Sequence, residues 1–397
     1  MESSLESLPV ELVGEIIEQL DRGDILSLRL TNRTLNYKIP LFHLRKFFLA
    51  KDVKLARRPL ENMVYVTSNG RLGALLEELT ILGGTENEDE DGTNSAPESS
   101  DLVRLLTEAF INLRSHSPKG GLSTLQLSTI KGYSEKDFQG TVSRPTFNIT
   151  MKALRETQLP IYQTLGLFMR CGLQRDAFFS LPQMFASTYV FSSLKQLMVQ
   201  VKLSPKQISE QPGFANNPPS ASDEQHLNSN NTIMDADRDL ALFLFELSEI
   251  MPALEDIHLE GDTEEFDLSP TVASPPIHDG ESGHSPFPKL KSCSLIDIPV
   301  SGDDLLHFVR TARPKELQLA GTELTSGHYS PLFEYLSLPD TITKKWYFEV
   351  LKEGSMTVSF DARPRADLTD WSAEPVWAVE AILNSFEVEG KVTYTLY

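Results

Sequence analysis

One spacing of apolar residues recurs along most of this chain, and it restricts the folds open to it. Leu76, Leu79 and Ile81 set the pattern, and Leu122, Leu125 and Leu127 repeat it. It returns at Leu194, Leu197 and Val199, then at Leu254, Ile257 and Leu259, then at Leu290, Cys293 and Leu295. Leu317 and Leu319 close the series, and Leu165 with Leu167 is a weaker copy. Each copy has the period of two that a strand needs to bury one side. Between copies lie helix-like runs, from Leu102 to Leu113, Met151 to Arg155, Asp239 to Ile250 and Asp304 to Arg310. Alternating strand and helix implies an α/β fold with a parallel sheet and right-handed crossovers.

The repeat is irregular. Leu295 and Leu319 stand 24 residues apart, but Ile257 and Cys293 are farther apart because an insert intervenes. Three inserts, near residues 85–100, 204–231 and 262–288, are rich in acid, Pro, Ser or Asn. Such segments bury too little apolar surface to offset the entropy of ordering them, so disordered loops are expected there. Ser204, Ser269, Ser274 and Ser285 precede proline in or beside these inserts. Ser-Pro is common in such loops, so they read first as ordinary loop dipeptides, with phosphorylation the alternative. Toward the C-terminus Trp346, Phe348 and Val350 alternate, Glu353-Gly354 suits a turn, and Met356, Val358 and Phe360 alternate again. This predicts a β-hairpin, followed by a helix over 375–386 and a last strand over 388–397, together capping the sheet.

Charge narrows the partners. The chain of 397 residues carries a formal net charge of −20, which argues against nucleic acid and anionic membrane as ligands. Cys171 and Cys293, its two cysteines, fit neither a zinc spacing nor a disulfide scaffold. No apolar run has membrane-spanning length and the N-terminus is acidic and amphipathic. A soluble intracellular protein, cytoplasmic or nuclear, is the expectation.

Residues 5–39 have a different character. Leu8-Pro9 opens the segment, Glu11-Leu12 follows, and Ile16, Ile17 and Leu20 lead into Asp21-Arg22-Gly23-Asp24. Pro9 suits the first turn of a helix, and Glu11 suits its positive end. Leu12, Ile16 and Leu20 recur every four residues with Val13 and Ile17 beside them, an apolar stripe wider than so small a helix needs for its own packing. Gly23 reads as a helix stop and Asp24 as the next cap. A second series, Ile25, Leu26, Leu28 and Leu30, ends at Thr31-Asn32-Arg33 and Leu35. Two such helices begin an ordinary globular domain or pack on a partner. Residues 38–58 add Lys38, Arg45, Lys46, Lys51, Lys54, Arg57 and Arg58. That basic stretch fits a solvated connecting helix, or a surface complementary to an acidic partner.

The order Leu-Pro-x-Glu-Leu, then Ile, then Leu and a short turn, then Leu-x-Leu-Arg-Leu resembles an F-box. Gly14 and the lack of Trp or Phe soon after Asn32-Arg33 are departures from that consensus. The resemblance implies docking onto the Skp adaptor of cullin-based ubiquitin ligases. It assigns that contact to Leu8, Pro9, Leu12, Ile16 and Leu20, with Leu26 and Leu30 supporting it. The later spacing resembles a degenerate leucine-rich-repeat solenoid, a layout similar to that of many fungal F-box proteins; an ordinary open α/β sheet is the alternative. The expected organisation is an F-box over 1–45, a connecting segment over 46–70, a repeat domain over 71–343 and a capping region over 344–397.

No motif for chemistry is present. Gly83-Gly84 and Gly120-Gly121 lack the Lys-Ser or Lys-Thr of a phosphate loop, and no Gly-x-Ser-x-Gly elbow occurs. The eight histidines are scattered, and acidic pairs such as Asp303-Asp304 suit helix starts. The expectation is a protein without catalytic residues, cofactor or metal, acting as a ligase substrate receptor. The other reading is a Skp-binding or free repeat scaffold with no role in ubiquitin transfer.

Overall fold

The computed structural model describes residues 5–39, 41–68, 70–84, 99–130, 141–202, 240–261, 285–353 and 356–359, with the pairs 387–388, 391–392 and 395–396. The three acidic or polar inserts fall mainly, and the expected helix over 375–386 entirely, outside the described residues. The chain divides into two compact units: residues 1–171 with 187–195, and residues 172–186 with 196–397.

The first unit opens with a single 3-10 turn at Leu5–Ser7 and four short helices: α1 (Val10–Glu18), α2 (Arg22–Thr31), α3 (Arg33–Lys38) and α4 (Leu41–Phe48). Then come β1 (Ala50–Lys54), α5 (Arg57–Ser68), α6 (Gly70–Gly73), β2 (Glu78–Gly83) and α7 (Ser99–His116). The unit continues with β3 (Leu122–Thr129), α8 (Ser143–Thr157) and β4 (Ile161–Leu167). The four strands are parallel and pair in chain order. Leu79, Leu125 and Leu165 share one register row, and Ile81, Leu127 and Leu167 share the next. All six side chains are buried, with α8 against β2 and β3. The expected connecting segment therefore contains the first strand of this sheet and a full helix, α5. Lys51, Asp52 and Lys54 give β1 no apolar alternation of the kind that marks the other strands.

In the second unit β5 (Leu173–Gln174) precedes α9 (Arg175–Phe179) and α10 (Leu181–Phe185). After β6 (Gln196–Lys202) come α11 (Leu240–Ile250), β7 (Asp256–Gly261), β8 (Ser292–Ile296), β9 (Pro299–Ser301) and α12 (Gly302–Ala312). β10 (Glu316–Ala320), β11 (Glu323–Ser326), α13 (Ser330–Ser337), β12 (Lys345–Glu349), β13 (Lys352–Glu353) and β14 (Met356–Ser359) follow. β15 (Glu387–Val388), β16 (Lys391–Val392) and β17 (Thr395–Leu396) end the chain. β6, β7, β8, β10 and β12 form a parallel sheet in that order, and β5 pairs with β6. One row aligns Val199, Leu259, Leu295, Leu319 and Phe348; another aligns Leu197, Ile257, Cys293, Leu317 and Trp346. Apart from the two half-buried aromatics at the end, these residues are buried. Phe243 on α11 stacks on Phe179 with ring centres 4.3 Å apart.

The last three turns of the chain repeat one plan. β8, β10 and β12 each end in a corner with left-handed backbone, at Asp297 (φ 53°), Gly321 (φ 58°) and Val350 (φ 48°). The Asp297 N–H then donates to Ala320 O at 2.7 Å, and the Gly321 N–H donates to Glu349 O at 2.8 Å, so each corner ties one turn to the next. After the corner come β9, β11 and β13, which pair in parallel as a second, narrow sheet. At Gly321 an added Cβ would meet the Asp297 carboxylate, which would have to move.

The hairpin expected from Trp346 to Phe360 forms differently. Lys345–Glu349 is the parallel neighbour of β10, and the first arm of the antiparallel pair is β13 instead, where Lys352 pairs with Thr357 and Glu353 with Met356. Alternation at Trp346 and Phe348 reports only that one face is covered; Leu317 and Leu319 beside them extend the same apolar rows.

Candidate functional site

The N-terminal helices close around Val13, Ile17, Ile25, Ile39 and Leu44, which have at most 1% of their surface exposed. Leu8, Leu20, Leu28, Phe47, Phe48, Leu72 and Leu75 pack on the rim of this cluster. The wide stripe of α1 is thus divided. Val13 and Ile17 face inward, whereas Leu12 is 44% exposed and Val10 45%, with Leu5 at 42% before them. Ile16 is half-buried between the two sets, Leu8 and Leu20 are half-buried on the rim, and Pro9 is exposed at the N-cap of α1. Leu26 and Leu30 lie on α2, with their side chains outside the described residues. Leu12, Pro9 and part of Ile16 therefore form an apolar surface left over after the small core is complete.

The turn between α1 and α2 is shifted from its expected place. Asp21, not Asp24, caps α2: its Oδ1 accepts the Asp24 N–H at 2.9 Å, and Gly23 lies inside the first helical turn. Both aspartates suit a cap by type, and only the geometry distinguishes them.

Three polar contacts missed in the sequence fix the segment ahead of α1. Lys38 Nζ donates to Glu6 O at 2.6 Å and to Leu8 O at 2.8 Å. Asn32 caps α3 by accepting the Thr34 N–H at 2.6 Å, and its Nδ2 donates to Glu6 Oε1. Lys38 and Asn32 lie about thirty residues beyond their partners, and no local pattern joins them. The basic stretch is partly neutralised: Arg45 pairs with Glu77 at 2.7 Å, Arg57 pairs with Glu61 at 2.9 Å, and Lys51 lies over the Phe48 ring.

A second surface is the polar face of the second unit's sheet. Its middle row aligns Met198, His258, Ser294, Gln318 and Tyr347. Gln200 Nε2 donates to Glu260 Oε1 at 3.3 Å, and Ser294 Oγ donates to Gln318 Oε1 at 3.3 Å. Lys291 pairs with Glu255, and Lys345 pairs with Glu316 at 2.8 Å. Burial, then the neighbouring Glu255, holds the Asp256 carboxyl above the ordinary aspartate range, against the pull of Lys291. Burial and Glu260 raise Asp297 in the same way. Tyr347 is 52% exposed, and its hydroxyl donates to Glu349 at 2.7 Å.

The buried Glu353 accepts the Tyr329 N–H at 2.8 Å and stands 3.0 Å from His328 Nδ1. Those contacts join β13 to the start of α13. Burial lifts the Cys293 thiol to about 12, which keeps it protonated and unreactive at neutral pH. Among the described residues no group of three His, Cys, Asp or Glu side chains is placed to hold a metal ion, and no helix is long and apolar enough to cross a membrane.

No curated protein matches the chain. Among protein families, the F-box domain matches residues 5–46, which span α1 to α3 and most of α4. The F-box is a module that generally binds the Skp adaptor, commonly within ubiquitin ligase complexes. The apolar surface on α1 thus lies within residues 5–46, the stretch of this chain that matches the F-box domain.

Proposed function

We propose that this chain is the substrate receptor of a Skp–cullin–F-box ubiquitin ligase, with the fungal type of layout in which a degenerate leucine-rich-repeat-like solenoid follows the F-box. The F-box docks the adaptor through Leu8, Pro9, Leu12, Ile16 and Leu20, with Leu26 and Leu30 supporting the contact. The repeats hold a target protein. The chain itself performs no chemistry; it raises the target's effective concentration near the conjugating enzyme. Such a receptor works in the cytoplasm or nucleus.

The observation that carries the docking half is an apolar surface on α1 that remains exposed although the helical module has closed its own core. The repeat half is supported by the recurring plan of sheet strand, left-handed corner and short second strand. Register partners in successive turns lie 24 residues apart from β8 to β10 and 29 residues apart from β10 to β12, within or near the usual spread of leucine-rich repeats. The polar sheet face, with His258, Gln318 and Tyr347 in one row, is the recognition surface of this reading.

Affinity purification of the full chain tests it. Recovery of the Skp adaptor together with a cullin, and of a target ubiquitinated in reconstitution, is the expected result. Recovery of the adaptor with no cullin would favour a scaffold outside ubiquitin transfer.

A further inference from the structure

The docking residues at the start of the chain lie ahead of the helix that carries the rest of the site. Glu6 and Ser7 belong to a single 3-10 turn, and that turn is exposed. A segment of this kind frays unless something beyond its own backbone holds it. Here the Lys38 ammonium spans two carbonyls of the segment, Glu6 O at 2.6 Å and Leu8 O at 2.8 Å. Asn32 adds a third tie, to the Glu6 carboxylate. The base of this clamp is rigid. Lys38 ends α3 and is followed by Ile39, which has no exposed surface and belongs to the core cluster; Leu35, one turn earlier, is also buried.

We infer that Lys38 is a positioning residue for adaptor binding: it holds Leu8-Pro9 in the conformation that presents them beside Leu12. The inference rests on the adaptor-docking reading above. The clamp acts on the free protein. Charge-assisted hydrogen bonds to two carbonyls keep the binding-competent arrangement dominant, and affinity falls in proportion to the fraction of molecules that retain it. A Lys at this place also favours the end of α3 through the helix dipole, but that contribution is local to α3 and does not reach Pro9.

Adaptor affinity of the full chain is measured for the wild type, Lys38→Met, Lys38→Arg, Glu6→Ala and Leu12→Asp, with the melting midpoint and amide hydrogen exchange of each. Lys38→Met keeps the methylene stem and removes the donors, and is expected to bind about tenfold more weakly, the scale of one charge-assisted hydrogen bond. Its melting midpoint should stay close to wild type while exchange speeds up at the amides of Ser7, Leu8 and Val10. Lys38→Arg, which can span both carbonyls, should restore most of the affinity, and Glu6→Ala, which removes the Asn32 tie and leaves the Lys38 donors in place, should fall between. Wild-type affinity in Lys38→Met alongside lost binding in Leu12→Asp would overturn the clamp and leave the docking reading intact. Loss of affinity in Lys38→Met together with a matching fall in melting midpoint would make Lys38 merely structural, and would also overturn it. Equal binding by all five proteins would remove the docking reading itself.

Discussion

Val350 occupies a backbone conformation that β-branched residues avoid. Its φ of 48° repeats the corner that Asp297 and Gly321 fill in the two preceding turns, and those residue types tolerate it. Val350 is 54% exposed, so little packing is lost by replacing it. Val350→Asn should therefore stabilise the second unit by about 0.5–1 kcal/mol, read as a higher denaturant midpoint. Asp256 carries a different liability. Its carboxyl is held above the ordinary aspartate value, so the folded protein keeps this proton to a higher pH than the unfolded chain does. Between those two values the folded state binds more protons, and stability falls as pH rises. At neutral pH the ionised Asp256 is a net cost, reduced because the group is partly solvated. Asp256→Asn should be more stable than wild type at pH 7, with the difference shrinking as pH falls through the raised folded-state value toward the ordinary aspartate value. A chemical denaturation series across pH 3–7 checks the sign; an Asn variant less stable at pH 7 would show that Asp256 has a favourable partner.

Rows of stacked side chains hold the elements together, and they are where a core change should register. Leu259 stands between Val199 and Leu295 in one row and is buried; His258, on the opposite face, is partly exposed between Met198 and Ser294. Leu259→Ala should cost about 2–5 kcal/mol, whereas His258→Ala should stay within about 0.5 kcal/mol, and thermal unfolding of the two variants tests the facing. Much of this level was legible from the amino-acid pattern. Leu79 with Ile81, Leu125 with Leu127, Ile257 with Leu259 and Leu317 with Leu319 all lie on buried rows of parallel strands. They were readable because each buries one side in a period of two. β1 was not, since Lys51, Asp52 and Lys54 leave it only Ala50 and Val53 as apolar residues. At β12 the pattern identifies the strand and not its neighbour: alternation at Trp346 and Phe348 says that a strand is half covered, and says nothing of whether its partner runs parallel or antiparallel. At the N-terminus, the period-four stripe of α1 was plain, but its division into a core side at Val13 and Ile17 and an exposed side at Leu12 depends on where α2 to α4 pack. The Lys38 clamp was invisible for a related reason, because it joins residues from separate elements.

For the molecule as a whole, residues 5–46 match the F-box domain, and each compact unit carries parallel strands with aligned rows of buried side chains. Of these parts, the proposed docking surface on α1 can be tested without knowing the target. Leu12 lies on the exposed side of α1, away from the cluster of Val13 and Ile17, so a charge placed there leaves the fold intact. Within an apolar adaptor groove the same charge would have no partner and would cost several kcal/mol, on the order of 3 or more. The decisive measurement is calorimetric binding of purified Skp adaptor to the full chain and to Leu12→Asp, with melting midpoints recorded for both. Wild type should form a complex, and Leu12→Asp should keep its midpoint while its affinity falls by at least about a hundredfold. Undiminished binding by Leu12→Asp would contradict the docking assignment.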